Sequence, residues 1–392
     1  MKILAVCQHY TPEPFRITDI CEALVKRGHE VTVITGTPNY PIGKIYSGYG
    51  HGKKRDEIIN GVKVHRCFEI GRRSGVIFRF LNYYSFAASS KRYAKRLKEK
   101  FDVVFVNQLS PVMMANAGIA YARKHNVPLY MYVLDLWPAS LSAGGIKENS
   151  AVYRHYHKVS KKIYAQADKL LITSRMFSGY LQAEFSIPAE KIAYLPQYSE
   201  DRFTPEECKK PQDGTIDLTF AGNVGKMQSV ETIIRAAKEC EDIKNLRWHI
   251  VGDGSDLENC KRLAKALNVT SVTFHGRKAP EEMPKWYAKA DAMLVTMKKD
   301  KVISYTLPGK VQTYMAAGKP IIGAIDGETK RVIEEARCGF CGEAENADLL
   351  AENVRRFCTG NYQQYSENSL LYYDMNFKKT RMIDRLELVL AG

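Results

Sequence analysis

The densest chemistry in this chain sits behind a turn, at Leu307-Pro-Gly-Lys310. Pro308 and Gly309 form a turn signal. Val311, Tyr314 and Met315 then recur at helical spacing until Gly318-Lys319-Pro320 stops the helix. A lysine at a helix start shares its space with free backbone N–H groups and the positive end of the helix dipole, so Lys310 suits a phosphate or diphosphate. The same residues also read as an ordinary helix–strand unit with a solvated lysine. Upstream, segment 220–229 joins a strand to a helix through Gly222 and Gly225. Its glycines give a phosphate access to backbone N–H groups, and Asn223, Lys226 and Gln228 are side-chain donors. Gly252-Asp253-Gly254 repeats the theme, with Asp253 also able to shape the turn. His275 ends another strand, where its ring could flank a nucleobase.

The first half offers different groups. The loop 8–16 after the first strand lacks the glycine spacing of a dinucleotide fingerprint, so NAD or FAD is not expected there. His9, Glu13 and Arg16 lie where a ligand would, on a loop stiffened by two prolines that also reads as a plain connector. Asn39 and Tyr40 sit in the turn-rich stretch 36–43. Arg72, Arg73 and Arg79 stand among the apolar and aromatic residues of 72–84, followed by Lys91, Arg92, Lys95, Arg96, Lys98 and Lys100. Apolar groups beside clustered cations match an interfacial membrane contact, or a core-facing helix with a solvated basic face. Asp135 closes the apolar run 129–134 and so points toward a crevice, where it could orient hydroxyls or accept a proton, or cap the next segment.

Strand and helix patterns alternate throughout and must position these groups. Strands are expected at 2–7, 30–35, 62–67, 103–107, 129–134, 169–173 and 192–195, with helices at 17–27, 85–99, 112–125 and 152–165. A second series has strands at 216–221, 247–251, 272–275, 292–296 and 320–325, with helices at 230–240, 257–267, 283–290 and 310–317. Two such series predict two doubly wound α/β domains, each binding at the carboxyl ends of its strands. The length of 392 residues agrees with two cores. The expected domains are 1–200 and 210–365, divided in the polar stretch 199–214, with a final helical region at 363–391.

Composition narrows the class. Hydrophobic content of 45% and charged content of 26% describe a folded globular chain. Nine scattered cysteines fit a reducing compartment, and Cys338-Gly-Phe-Cys341 lacks the second ligand pair of a zinc site. The apolar start is too short for a signal peptide, and the run 76–88 is too short to span a bilayer and carries Arg79. Residues 1–200 hold 29 Lys and Arg against 15 Asp and Glu, so nearly all of the formal +15 lies there. A one-sided field implies an extended anionic partner. An acidic membrane surface is expected and nucleic acid is not, since no helix-turn-helix, zinc-finger or RNP-like signature is present.

Taken in order, the segments 10–16, 28–36, 38–43, 135–138, 195–197, 222–225, 252–254 and 308–310 through 318–320 resemble family 4 of the retaining glycosyltransferases. Within it they resemble the group that includes bacterial O-antigen and capsule N-acetylfucosamine transferases. The resemblance implies GT-B architecture, with two Rossmann-like domains facing across a cleft. It implies a UDP-sugar donor in the C-terminal domain, a polyprenyl-diphosphate-linked acceptor in the N-terminal domain, and a terminal helix, 370–392, packing back on the first domain. It further implies retention of anomeric configuration, no metal, no cofactor and no protein nucleophile, the leaving diphosphate assisting the acceptor. The implied place of work is the cytoplasmic face of the cell membrane. Lys310 and the loop 222–228 would then stabilise charge on the leaving phosphate.

One departure stands out. The family's paired glutamates fall here on Tyr305 and Thr313, and its phosphate-loop arginine and lysine on Asn223 and Gln228. Glu328 is the available replacement carboxylate. Two rival readings follow: a UDP-sugar 2-epimerase on a related fold, and a non-catalytic transferase-like membrane-bound partner.

Overall fold

The computed structural model describes residues 1–73, 75–143, 145–199, 210 and 214–392. The chain divides into two compact units, Met1–Leu195 with Ile383–Gly392, and Pro196–Met382.

The first unit runs β1 (Lys2–Val6), α1 (Ile17–Lys26), β2 (Glu30–Thr35), β3 (Asp56–Ile59), β4 (Val62–Arg66), α2 (Val76–Arg96), β5 (Val103–Gln108), α3 (Asn116–His125), β6 (Leu129–Val133), α4 (Ala139–Ala143), α5 (Ala151–Tyr164), β7 (Lys169–Ile172), α6 (Met176–Phe185) and β8 (Ile192–Tyr194). Its sheet has the order β3-β4-β2-β1-β5-β6-β7-β8. Strands β1, β5 and β6 are almost wholly buried, as expected of parallel strands covered by helices on both faces. Pairing is parallel except at the edge, where β3 runs antiparallel to β4. Order reverses between β1 and β5, so the crevice for a ligand lies outside their carboxyl ends.

The second unit runs β9 (Ile216–Ala221), α7 (Val230–Glu239), β10 (Leu246–Val251), α8 (Leu257–Ala266), β11 (Val272–Gly276), α9 (Met283–Lys289), β12 (Ala292–Thr296), α10 (Lys301–Ser304), α11 (Gly309–Ala316), β13 (Ile321–Ala324), α12 (Glu328–Ala336), β14 (Gly339–Gly342), α13 (Ala347–Thr359), α14 (Gln363–Asn376) and α15 (Lys379–Ala391), the last ten residues of the chain grouping with the first unit. Its six parallel strands follow the order β11-β10-β9-β12-β13-β14, with the switch point between β9 and β12.

Several expectations need correction. The long helix of the first half begins at Val76, nine residues earlier than expected, because the aromatic run there packs at helical spacing. Strands β3 and β14, and helices α6, α12 and α13, were not expected. The terminal segment is divided: only Ile383–Gly392 joins the first unit, where Arg27 meets Asp384 at 2.7 Å and His29 meets Glu387 at 2.7 Å. Residues 370–382 stay with the second unit, since Ser369 donates to the Lys319 carbonyl at 2.8 Å and Leu370 covers Gly318.

Beneath the carboxyl ends of β1, β2 and β4 lies a buried polar knot. Glu69 Oε1 accepts from Gln8 Nε2 at 2.9 Å, from Asn39 Nδ2 at 3.2 Å and from Asn82 Nδ2. Its Oε2 is buried without a hydrogen-bond partner among the described residues. Burial pushes the carboxyl up to about 7, against the opposing pull of His9 and these donors. Gly36 makes the space: a Cβ there would stand 1.7 Å from Glu69 Oε2 and 2.9 Å from the Gln8 carbonyl. Gly36→Ala is therefore expected to destabilise the protein by roughly 1–3 kcal/mol as an overpacked site. Thermal unfolding checks this, and an unchanged midpoint would show that the knot gives way freely.

Candidate functional site

The second unit builds a cavity of about 710 Å³ at the carboxyl ends of β9 and β10. Two loops meet there backbone to backbone. The Gly222 N–H donates to the Val251 carbonyl at 2.9 Å, Val224 to Asp253 at 2.9 Å, and Gly252 to Gly276 at 2.9 Å, extending the ladder past the strands. A Cβ at Gly252, whose φ is +148°, would stand 1.8 Å from the Gly222 carbonyl oxygen. Only glycine allows this approach.

Helix α11 brings its lysine over these loops. Tyr314 is fully buried, donates to the Ala221 carbonyl at 2.9 Å and accepts from the Ala221 N–H at 3.2 Å. That clasp ties the helix to the end of β9. Lys310, one turn earlier on the same face, thereby lies against Gly222. The residue as a whole is half-buried, but its Nζ is shut off from solvent and has no hydrogen-bond partner among the described residues. The atom's surroundings, not the residue's mean exposure, set its acidity. Nζ stands 3.9 Å from the centroid of the Phe220 ring, a favourable electrostatic neighbour. Burial brings the ammonium down to about 7. A buried cation without a counter-charge at the positive end of a helix is an anion site.

The cavity gathers Lys310, Gly222, Asn223, Gly252, Asp253 and Gly254 from the sequence analysis, and adds Ala221, Val251, Arg277, Lys278, Met283 and Tyr287, which that analysis missed. The adjacent basic pair after His275-Gly276, at a strand end, was the available signal. Other expected residues lie elsewhere or act differently. Gln228 shapes the loop: its Oε1 accepts from Asn223 Nδ2 at 3.1 Å and from the Gly225 N–H at 3.2 Å. Lys226 is exposed and outside the lining. Pro308 and Gly309 start α11, and Thr313 bonds back to the Gly309 carbonyl at 3.2 Å. Neither these nor Tyr305 lines the cavity. His275 accepts or donates to His249 at 2.9 Å and packs on Trp286, while His249 meets Asp217 at 2.8 Å. This chain belongs to the sheet face, and burial, helped by His249, lowers His275 to about 4, leaving a neutral ring near pH 7. Glu328 has no exposed surface and is paired with Arg331 at 2.7 Å, so its charge is already met.

In the first unit, His9 Nδ1 lies 3.1 Å from Glu13, and its ring stacks on Phe15. Glu13 also accepts from the Asn39 and Tyr40 N–H groups at 2.9 and 2.6 Å. Asn39, Tyr40, Arg72, Arg73 and Arg79 share a pocket of about 410 Å³. Arg16 stands just before α1 and is not among its lining residues. Asp135 follows β6 and accepts from Ser110 Oγ, and burial raises its carboxyl despite that bond. Both cysteines of 338–341 are pushed up to about 12 by burial, which makes them poor nucleophiles. Among the described residues no group of three or more His, Cys, Asp or Glu is placed to hold a metal.

Two family descriptions match, the glycosyl transferase 4-like domain over residues 15–197 and glycosyl transferases group 1 over residues 204–370. The chain belongs to the family 4 type of glycosyltransferases. It is similar to the putative colanic acid biosynthesis glycosyl transferase WcaI of Escherichia coli, 25% identical over 91% of this chain and 92% of that one. It is also similar to the probable glycosyltransferase WbjE of Pseudomonas aeruginosa, 24% identical, the match spanning 58% of this chain and only 59% of that one. Among solved structures, the sucrose-phosphate synthase of Thermosynechococcus elongatus superposes with a TM-score of 0.75 at 15% identity, over 99% of this chain and 98% of that one. Anabaena HepE in complex with UDP does so with a TM-score of 0.71 at 14% identity, over the full length of both. The fold of this glycosyltransferase is GT-B.

Because Lys310 sits near 7 when no anion is beside it, a bound diphosphate should restore its charge. Affinity for UDP is expected to be level well below pH 7 and to fall as pH rises from about 7 toward the ordinary lysine range, binding taking up a proton across that window. Calorimetry in buffers of different ionisation heat checks the uptake. Equal heats in all buffers at about pH 8 would refute the coupling.

Proposed function

We propose that this glycosyltransferase moves an N-acetylated sugar from a UDP-sugar to a lipid-diphosphate-linked acceptor during surface polysaccharide synthesis, with retention and without a metal. One observation carries the donor side: the buried, unpartnered Lys310 ammonium over the glycine loops. As the anomeric C–O bond breaks, negative charge gathers on the departing diphosphate. Lys310, Arg277 and Lys278 line the cavity in which it would gather, and preorganised charge of this kind is the largest single catalytic contribution available. The UDP bound by HepE supports the choice of nucleotide, and the names of WcaI and WbjE support a role in polysaccharide assembly.

On this reading the second unit holds the donor and the first holds the acceptor, with Asp135 placed to orient a hydroxyl. Glu328, locked to Arg331, acts on the sugar only if that pair opens. Two features support work at the inner, acidic face of a membrane. Helix α2 exposes Ile77, Leu81 and Tyr84 along one stripe. The same stripe continues into Lys91 and Lys95, which border a groove of about 730 Å³ with Arg123, Lys124 and Lys162 and no carboxylate among its lining. The C-terminal ends of three helices supply only about half a negative charge each, too little to neutralise five cations. Among the described residues no helix is long and apolar enough to cross a bilayer.

Thermal-shift binding across UDP, GDP, ADP, CMP and NAD is expected to show stabilisation by UDP alone. With the matching sugar nucleotide, Lys310→Ala should lower turnover by about 10²–10³ while circular dichroism stays unchanged. No shift with any nucleotide would favour the non-catalytic partner, and product formed without acceptor would favour the epimerase.

A further inference from the structure

We infer that Asp217, His249 and His275 form a positioning relay, which holds the end of β11 so that Arg277 and Lys278 line the cavity of the second unit. The observation behind it is a break in the ladder. Strands β10 and β11 pair in step from Trp248 and Val272 to Ile250 and Phe274, and then Val251 pairs with Gly276. His275 is the residue left over, a β-bulge just before the cavity lining resumes at Arg277. Bulges bend a strand and re-aim its side chains. Because side chains alternate along a strand, losing the bulge would exchange the directions in which the next residues leave it. Strand β11 is also the edge of its sheet, paired on one side only, so the ladder alone is a weak hold.

Side chains supply the rest. Asp217 on β9 pairs with Lys210 at 2.7 Å and with His249 Nε2 at 2.8 Å. Burial works to raise its carboxyl, and the bonds from His249 and Lys210 overcome it, so Asp217 stays ionised. An ionised carboxylate only accepts, so His249 Nε2 donates and the ring is fixed in orientation. His249 Nδ1 then meets His275 Nε2 at 2.9 Å, with room for one proton between them. The His275 ring lies against Trp286, 4.3 Å between centroids, and the Lys278 ammonium lies 5.4 Å from the same Trp286 ring. On the backbone, the Gly276 carbonyl, next after His275, accepts the Gly252 N–H at 2.9 Å. The relay thus starts on β9, crosses β10 and β11, and ends at two members of the cavity lining, Lys278 and Gly252.

The arrangement needs an uncharged His275. A second proton between the two imidazoles would break their bond and place a cation beside Lys278 and Lys289, whose ammonium lies 5.1 Å from the Trp286 ring. Burial first, and then His249, Lys278 and Lys289, lower His275 to about 4, so the bond persists at neutral pH. His275 itself is not part of the cavity lining. It acts through the residues that follow it.

The use of UDP as probe rests on the proposed donor reading; the hold on the loop does not. In the full chain near neutral pH, His275→Leu should weaken UDP binding roughly three- to tenfold, about the worth of one or two hydrogen bonds. His249→Leu removes the same bond from the other side and should match it. His275→Gln, whose amide can donate or accept toward His249, should stay within about twofold of the unaltered protein. In a chain already carrying Arg277→Ala and Lys278→Ala, His275→Leu should cost little more, because the side chains it positions are gone. Without ligand, amide exchange across the Gly252 loop should quicken in both leucine variants and not in His275→Gln. Unfolding midpoints verify that each variant is folded. Unchanged UDP affinity or unchanged exchange in the leucine variants would overturn the inference. So would a glutamine variant as weak as the leucine ones, or a loss undiminished in the double-alanine background. If the unaltered chain binds no UDP, the donor reading fails, and the exchange measurement alone decides on the relay.

Discussion

The ammonium of Lys310 is shut off from solvent with no carboxylate bonded to it among the described residues, and the loops and helix of the second unit meet around it. Its ordinary acidity would keep it charged, but burial lowers it to about 7. Such a group weakens the empty protein, and on the proposed reading a bound diphosphate would supply the missing counter-charge. The sign follows from linkage. A lysine depressed in the folded state binds fewer protons than in the unfolded chain between about 7 and its ordinary range, so the stability of the unliganded unit rises with pH across that interval. The Tyr314 clasp on Ala221 holds the helix that carries this lysine, and the abutting glycines leave open space beside it.

The first unit contains the mirror image of this arrangement. Glu69 is a carboxyl with no cation bonded to it, pushed up to about 7 and bound only by amide donors. Neutral at lower pH, it costs stability as pH climbs from the usual glutamate range through about 7. It lies beneath the loop 39–43 and does not line its pocket. It serves as a structural acceptor, and the cations that face outward are the arginines above it. The two units thus bury charge differently: the Lys310 ammonium without a hydrogen-bond partner among the described residues, the Glu69 carboxyl within a net of amide donors.

How far the sequence discloses this differs from element to element. Buried parallel strands such as β9 and β12 read directly as apolar runs, and their ends show as glycine turns because backbone approach excludes every other side chain. Strand β14, Gly-Phe-Cys-Gly, has no strand-like pattern. Its Gly339 is required by geometry, since a Cβ would stand 1.9 Å from the Ile321 carbonyl oxygen, a reason visible only when the neighbouring strand is in place. Strand β3 opens on Asp56-Glu57 after a basic run and is fixed only by its antiparallel register with β4. The lysine at the head of α11 was legible because a turn before a helix has local chemistry. Glu69 was not, because a single acid in Cys67-Phe-Glu-Ile70 has no spacing to interpret. Glu328 looked like an available carboxylate because its partner Arg331, one turn on, reads equally well as a solvated residue.

The cavity of the second unit is walled by main chain at Gly222, Gly252 and Gly254, the side that would face the phosphates on the proposed reading, whereas Arg277, Lys278, Met283 and Tyr287 contribute side chains. Main-chain walls cannot be varied by substitution without forcing the loops apart. On that reading, the part of the cavity that would meet the group common to all nucleotide sugars is closed to mutational drift. Divergence in substrate choice is channelled into the side-chain wall, where a single replacement can alter the cavity without disturbing the sheet. Gene duplicates of such a chain could explore new sugars while inheriting an unaltered diphosphate seat.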